Sequence, residues 1–240
     1  MSTSTPTVVL VHGAFADAAS WAGVVTELQA RGIPVVAPVN PLRGLASDAA
    51  YVASVAAQID GPVVLAGHSY GGAVITVAGT QDNVVGLVYV AAYILEEGES
   101  LGRLQGGFPD SPLASSLKQW TYPVADGEAA VELSIDEDAF PSVFAADVPT
   151  EVTKVLAVSQ RPLAAAAFGE PAAAAAWRTK PAWALVAGGD QAINPEVERF
   201  GARRAGATTV EVEGASHAVA VSRPKDVADL IAEAVRATQG

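Results

Sequence analysis

One stretch restricts the folds open to this chain more than any other: Val63-Val64-Leu65-Ala66-Gly67-His68-Ser69-Tyr70-Gly71-Gly72-Ala73-Val74. An apolar, β-branched run reaches Gly67, the chain turns through a serine, and a glycine pair leads into small residues able to start a helix. Strand, sharp turn and helix are expected in that order. The spacing Gly67-x-Ser69-x-Gly71 suits a serine lifted above the end of a sheet, because the flanking glycines leave room where a Cβ would collide. Ser69 is the candidate nucleophile, and the surrounding chain has to supply the rest of its chemistry.

The remaining sequence continues the alternation. A short β-branched run at residues 7–11 ends at His12-Gly13, and apolar residues recur at helical spacing from Asp17 to Arg31. Residues 33–37 form the next strand candidate, followed by a proline-containing loop and a helix over about 47–59, stopped by Asp60-Gly61-Pro62. Strand 63–66, helix 70–80 and strand 84–92 complete this half. After Pro181 come strand 183–187, helix 195–205, strand 208–212 and helix 224–237. Continuous apolar strands alternating with helices predict a parallel sheet of about six strands, covered on both faces.

Between these halves the rhythm breaks. Residues 96–180 contain Gly106-Gly107, many prolines, an acidic stretch at Asp136-Glu137-Asp138 and alanine-rich blocks near Ala164 and Ala172. They are expected to form a helical lid inserted after the fourth strand, over a core of residues 1–95 and 181–240. The alanine runs are expected to be helical, as alanine is the best helix former.

Composition removes several classes of chemistry. There is no cysteine, so no disulfide, thiolate nucleophile or thiolate metal site can exist, and three histidines argue against a multi-histidine metal site. Fourteen Lys and Arg against 26 Asp and Glu give a net charge of −12, which repels nucleic acid and anionic membrane surfaces. The opening residues carry no basic region and the chain has no apolar run of spanning length; a soluble, unexported, cytoplasmic protein is expected.

A serine hydroxyl needs a base, and the base needs a carboxylate to hold its tautomer. His12 lies in the turn after the first strand and His68 inside the elbow; both read as structural. His217, in the loop Glu213-Gly214-Ala215-Ser216-His217 after the last strand, is left as the base. Its neighbour Ser216 lacks the glycine frame and is expected to bond locally. Asp190 follows the strand at 183–187 and stands between nucleophile and base, as the order Ser…Asp…His requires; Glu96 or Glu97 is the fallback acid. Two backbone N–H groups are placed to receive a developing oxyanion: that of Tyr70, directly after the serine, and one from His12-Gly13-Ala14-Phe15, with Ala14 preferred. Candidate substrate-binding walls are Phe15 and, in the lid, Trp120, Tyr122, Phe140, Phe144 and Phe168.

These residues resemble the α/β-hydrolase superfamily over nearly the whole chain. More narrowly, Leu10-Val11-His12-Gly13-Ala14 followed by Ala19-Ser20-Trp21 is similar to the plant methyl esterase and hydroxynitrile lyase group, which carries His-Gly-Ala, a short spacer, a Ser-Trp-like pair and Gly-His-Ser-x-Gly-Gly. Asp190 with Ile193 and Pro195, and Gly214-x-x-His217, are similar to that group's acid and base segments. The lid carries none of the resemblance. It implies an α/β-hydrolase fold, a Ser69, Asp190, His217 triad, an oxyanion hole at Ala14 and Tyr70, and no cofactor. The chain departs from the lyases, which use a threonine near the first motif and a lysine close to the histidine; here Phe15-Ala16-Asp17 and Asp190-Gln191-Ala192 stand instead. The resulting expectation is a serine hydrolase acting on a small carboxylic ester, thioester, lactone or amide, esters first. A cofactor-free perhydrolase or haloperoxidase-type enzyme, and a ligand-binding protein without turnover, are the alternatives. Oligomeric state is not encoded in any of these features.

Overall fold

The computed structural model describes residues 4–239. In chain order its strands are β1 (Thr7–Val11), β2 (Val35–Val36), β3 (Val63–His68), β4 (Val84–Val90), β5 (Leu117–Pro123), β6 (Ala129–Ile135), β7 (Leu163–Ala164), β8 (Ala182–Ala187) and β9 (Thr208–Val212). The α-helices are α1 (Ala22–Ala30), α2 (Leu45–Ala57), α3 (Tyr70–Ala78), α4 (Leu101–Gln105), α5 (Phe140–Phe144), α6 (Thr150–Val158), α7 (Pro195–Arg204), α8 (Val219–Ser222) and α9 (Pro224–Thr238).

Six strands form one sheet in the order β2-β1-β3-β4-β8-β9, every pair parallel. Val11 lies opposite Gly67, His68 opposite Val90, Val90 opposite Leu185 and Ala187 opposite Val212. Their carboxyl ends therefore share one edge, and the turns carrying His12, Ser69, Tyr93, Asp190 and His217 all leave from it. The strand order reverses around β1, and at such a switch point diverging helices open a crevice at the carboxyl edge. The expected α/β-hydrolase sheet of about six strands is present, with β2 shortened to two residues because Pro34 and Pro38 bracket it at the sheet's edge.

Alternation along each strand separates two buried clusters. Val8 and Leu10 of β1 and Val64 and Ala66 of β3 face Trp21, Leu28, Ile231 and Val235, the apolar stripes of the α1 and α9 regions. Val9, Val11 and Leu65 face the other way, onto Ala49 and Val52 of α2 and Val74 of α3. In α9 the buried Val227, Leu230, Ile231, Ala234 and Val235 repeat at helical spacing, and each large one contributes roughly 1.5–3 kcal/mol by leaving water. Among the described residues no helix is long and apolar enough to cross a membrane.

The insertion between β4 and β8 is not the helical lid expected. It holds α4, α5 and α6, but β5, β6 and β7 form a three-stranded antiparallel sheet within it. The β5–β6 hairpin closes through Asp126-Gly127, with Gly127 at φ 81°, a turn pair that favours hairpins. The alanine runs also differ from expectation: they give the end of β7 and two short 3₁₀ turns, Ala165–Phe168 and Ala176–Arg178. Pro162, Gly169 and Pro171 cut them into pieces too short to offset helix nucleation.

A Cβ at Gly71 would sit closer than 3.0 Å to the backbone oxygen of Val11, on a buried strand that cannot retreat. Gly71→Ala should cost about 3 kcal/mol or more in urea unfolding. Gly98→Ala, at φ 78° with open space around it, should cost only about 1–2 kcal/mol. Equal midpoints for the two variants would contradict this account of the strand–helix contact.

Candidate active site

Ser69 connects β3 to α3 at φ 56°, ψ −123°, a backbone region that costs a non-glycine residue on the order of 1–3 kcal/mol. Its N–H donates to Val90 O (3.2 Å), and its carbonyl accepts from Gly72 N (2.9 Å) and Tyr93 N (3.3 Å). The turn after β1 lies directly against it: a Cβ on Gly13 would come within 2.6 Å of Ser69 Cβ. That turn is held by His12 and Asn40. Asn40 N donates to His12 Nε2 (2.9 Å), Asn40 Nδ2 donates to His12 O (3.0 Å), and His12 Nδ1, left as the protonated nitrogen, lies 2.9 Å from Gly13 O. The Phe15 N–H is already committed to Arg161 O (3.0 Å), whereas Ala14 N has no backbone acceptor among the described residues. Tyr70 opens α3, where a first-turn N–H has no intrahelical partner. Ala14 and Tyr70 both line a cavity with Ser69 and His217.

Asp190 ends the turn after β8. Its N–H donates to Ala187 O (3.1 Å), and its Oδ1 accepts from Ala192 N (2.7 Å) and Ile193 N (2.9 Å). Its Oδ2 is bonded to Nδ1 of His217. That bond places the ring proton on Nδ1 and leaves Nε2 as the basic nitrogen. Both groups are buried. The fallback acids stand elsewhere: Glu96 is paired with Arg178 (2.6 Å), whose guanidinium lowers its pKa, and Glu97 is exposed.

The base loop is tied on three sides. Gly189 N donates to Ala215 O (2.9 Å), joining it to the acid's turn. His68 Nε2 lies 2.8 Å from His217 O and must be the donor, since a carbonyl can only accept. Ala218 N donates to Phe144 O (2.8 Å) in the lid. Ser216 does not bond locally as expected; its hydroxyl donates to Asp147 Oδ1 of the lid (2.5 Å). The sequence contains no local signal for that contact, which joins residues 69 positions apart.

Of the expected walls, Phe15 and Phe168 line the cavity at Ser69, together with Tyr93, Leu113, Leu163 and Ile193. The cavity measures about 20 Å³. Phe140 and Phe144 line a second apolar cavity of about 20 Å³, shared with Phe15 and His68, and the Phe144 ring meets His217 edge-on at 4.8 Å. Trp120 and Tyr122 do not reach either cavity. They lie on β5, the edge strand of the lid sheet, where Trp120 is 54% exposed and donates to Ser134 Oγ (2.8 Å). Tyr122 packs under the Arg43 guanidinium, 4.4 Å from its ring centre. Tyr93 was not singled out in the sequence and Ile193 was noted only in the acid segment, not as a wall, although both follow strand ends at the carboxyl edge. Among the described residues no three His, Asp or Glu side chains are grouped to hold a metal ion.

Burial lowers the pKa of His12 and takes that of His68 well below the usual 6.5, with the neighbouring His217 adding to the effect at His68. Below pH 6.5 the unfolded chain takes up protons that these folded histidines refuse, so they make stability fall with acidification, by up to about 1.4 kcal/mol per pH unit each. His68→Gln keeps an N–H donor for His217 O but cannot titrate. The loss of unfolding free energy between about pH 7.5 and 5.5 should be smaller in this variant by about 1 kcal/mol or more. Asp48 and Glu198, buried carboxyls raised in pKa, act in the opposite sense but equally in both proteins. Urea titrations at the two pH values measure the difference, and an unchanged difference would refute the role given to His68.

Residues 8–230 match the model of the alpha/beta hydrolase family. No curated protein matches the chain. Among solved structures, polyneuridine aldehyde esterase superposes with a TM-score of 0.81 at 19% identity, covering 96% of this chain and 99% of that one. A pyrethroid hydrolase from Sphingobium faniae JZ-2 gives 0.77 at 25% identity, with 98% of each chain covered. A methylesterase from Arabidopsis gives 0.78 at 17%, covering 96% and 99%. With a family match running from β1 into α9 and the elbow, acid and base segments on one sheet edge, the chain belongs to the alpha/beta hydrolase family.

Proposed function

We propose that the protein is a serine hydrolase that cleaves a small, neutral carboxylic ester through Ser69, His217 and Asp190. The observation that carries this reading is the strained Ser69 sharing a small apolar cavity with a histidine whose Nδ1 is bound to a buried aspartate. The esterase and hydrolase activities in the names of the similar structures support an ester as substrate.

In this mechanism Ser69 Oγ attacks the ester carbonyl carbon while His217 Nε2 takes the hydroxyl proton. The carbonyl oxygen becomes an oxyanion and accepts from the N–H groups of Ala14 and Tyr70, each worth about 2.7–4 kcal/mol if removed. The intermediate collapses, and the C–O bond to the alcohol breaks. The leaving oxygen receives the proton from His217, and the acyl group stays on Ser69. Water, deprotonated by His217, then attacks the acyl carbon; the acid leaves and Ser69 recovers its proton. Asp190 stays a carboxylate throughout and holds the imidazole in the Nδ1–H tautomer.

Cavity size and lining support the substrate class. The walls at Ser69 are apolar and include no lysine or arginine, so an ionised acyl or alcohol group would lose its hydration without gaining a counter-ion. About 20 Å³ holds roughly one water; an ester enters by displacing the lid around Arg161 and Phe144. Ser69→Ala should lower p-nitrophenyl acetate turnover by at least about 10³-fold while leaving the fold intact. A fluorophosphonate should label the native protein stoichiometrically at Ser69, and kcat/KM should decline at acid pH because an imidazolium cannot act as base. Undiminished turnover by Ser69→Ala would exclude the proposal.

A further inference from the structure

Glu198 is a buried ionisable group that the reaction above does not use. It lies near the start of α7, is 2% exposed, and sits on the helix that follows the Asp190 turn. Its Oε2 accepts from the N–H of Ala187, the last residue of β8, at 3.0 Å. Its other oxygen, Oε1, is buried without a hydrogen-bond partner. Both carboxyls are tied to Ala187, whose N–H donates to Glu198 and whose carbonyl accepts from the N–H of Asp190 (3.1 Å), and Asp190 is the strongest charge acting on Glu198. Two neighbouring carboxyl groups in a dry interior cannot both be ionised without strong repulsion, and one shared proton turns the repulsion into a hydrogen bond.

The donors decide which group keeps that proton. Asp190 receives the N–H groups of Ala192 and Ile193 and the Nδ1–H of His217, all of which favour its ionised form. Glu198 receives only Ala187 N–H. The one opposing charge, that of Arg199, acts more weakly than burial and Asp190. Tyr93, on the segment after β4, directs its hydroxyl to Gln105 Oε1 (2.9 Å), and the guanidinium of Arg199 is committed to Glu196 (2.7 Å) and Glu211 (3.0 Å). Burial first, and then the Asp190 charge, push the Glu198 carboxyl well above the usual range.

We propose that Glu198 is a positioning residue, a neutral carboxylic acid whose O–H donates to the Asp190 carboxylate and fixes the orientation in which Asp190 holds His217. The proton does not move during turnover. Its place is to join α7 to the acid's turn, so that the orienting carboxylate is gripped from the helix as well as by its own loop. This role rests on the Ser69–His217–Asp190 reading, but the protonation state can be measured without turnover.

The test combines infrared difference spectroscopy with kinetics on p-nitrophenyl acetate. At neutral pH the native protein and Ser69→Ala should both show the carbonyl stretch of a protonated carboxylic acid, absent from Glu198→Gln. Glu198→Gln, whose amide still offers an N–H to Asp190, should keep kcat within about threefold, whereas Glu198→Ala should lower kcat by about tenfold or more with KM little changed. Identical spectra for the native protein and Glu198→Gln would overturn the proposal, and so would native kcat in Glu198→Ala. If Glu198→Ala does not fold, the spectrum and the kcat of Glu198→Gln decide, a tenfold loss there also overturning it. Full activity in Ser69→Ala would instead sink the hydrolase reading and leave the spectroscopic result standing.

Discussion

The close approach of β1 to the start of α3 leaves no room for a side chain at Gly71, and the turn at Ser69 depends on that approach. A Cβ at Gly67 would likewise run into the backbone of Gly71 and Gly72, and one at Gly13 into Ser69 itself. With side chains absent from these three positions, β1, β3 and α3 come together as bare backbone, and Ser69 is held at positive φ by neighbours that have no alternative packing. The strain is local, while its compensation is spread over the sheet: Val90 of β4 and Tyr93 beyond it hold the serine's N–H and carbonyl. A parallel sheet suits this arrangement because all its carboxyl ends meet at one edge, so each strand contributes one part of the site without a long connection.

The insertion between β4 and β8 is bonded on two sides to the loop that carries His217. Ser216 and Ala218, on either side of His217, bond to Asp147 and Phe144, and the oxyanion turn bonds to Arg161 through Phe15. These contacts are buried or partly buried, and each replaces a bond to water that a displaced lid would restore. The ion pair Arg43–Glu132, which also crosses from core to lid, is partly exposed and contributes at most about 1 kcal/mol. The insertion is held against the core by these backbone bonds and by apolar packing of Phe140 and Phe144 of α5, the Phe144 ring meeting that of His217 edge-on.

The core was legible because its signals are local and repeated. Apolar runs became strands within a few residues of where the pattern put them, and Gly-x-Ser-x-Gly located the elbow because steric exclusion by backbone acts over very short distances. Asp190 and His217 were singled out by their positions after strands, a consequence of topology, and their side chains are bonded to each other. The lid was less legible for physical reasons. Its strands are half-exposed, so β5 and β6 lack a continuous apolar run, and the hairpin pair Asp126-Gly127 was the one local clue. Alanine propensity failed at residues 164–168 and 172–176 because breakers limit each run to less than a stable turn count. Trp120 and Tyr122 have the chemistry of pocket walls, yet an edge strand carries them outward, and no residue type encodes which side of a lid sheet faces the core.

Four buried polar networks line the carboxyl edge of the sheet. His12 is neutral because Asn40 N–H requires an acceptor at Nε2, and His68 because burial denies it hydration. Asp48, buried beneath α3, takes the Tyr70 hydroxyl (2.8 Å) and Arg43 N–H (3.1 Å), which fixes the side chain of the residue that follows Ser69. Asp190 takes two amides of its own turn and the imidazole of His217 from the loop after β9. Donors converging on a carboxylate favour its charged form. In the proposed mechanism such a carboxylate stabilises the imidazolium formed when Ser69 gives up its proton. A charge on His12 or His68 would compete for that carboxylate from a group that, in the proposed mechanism, takes no proton from the serine.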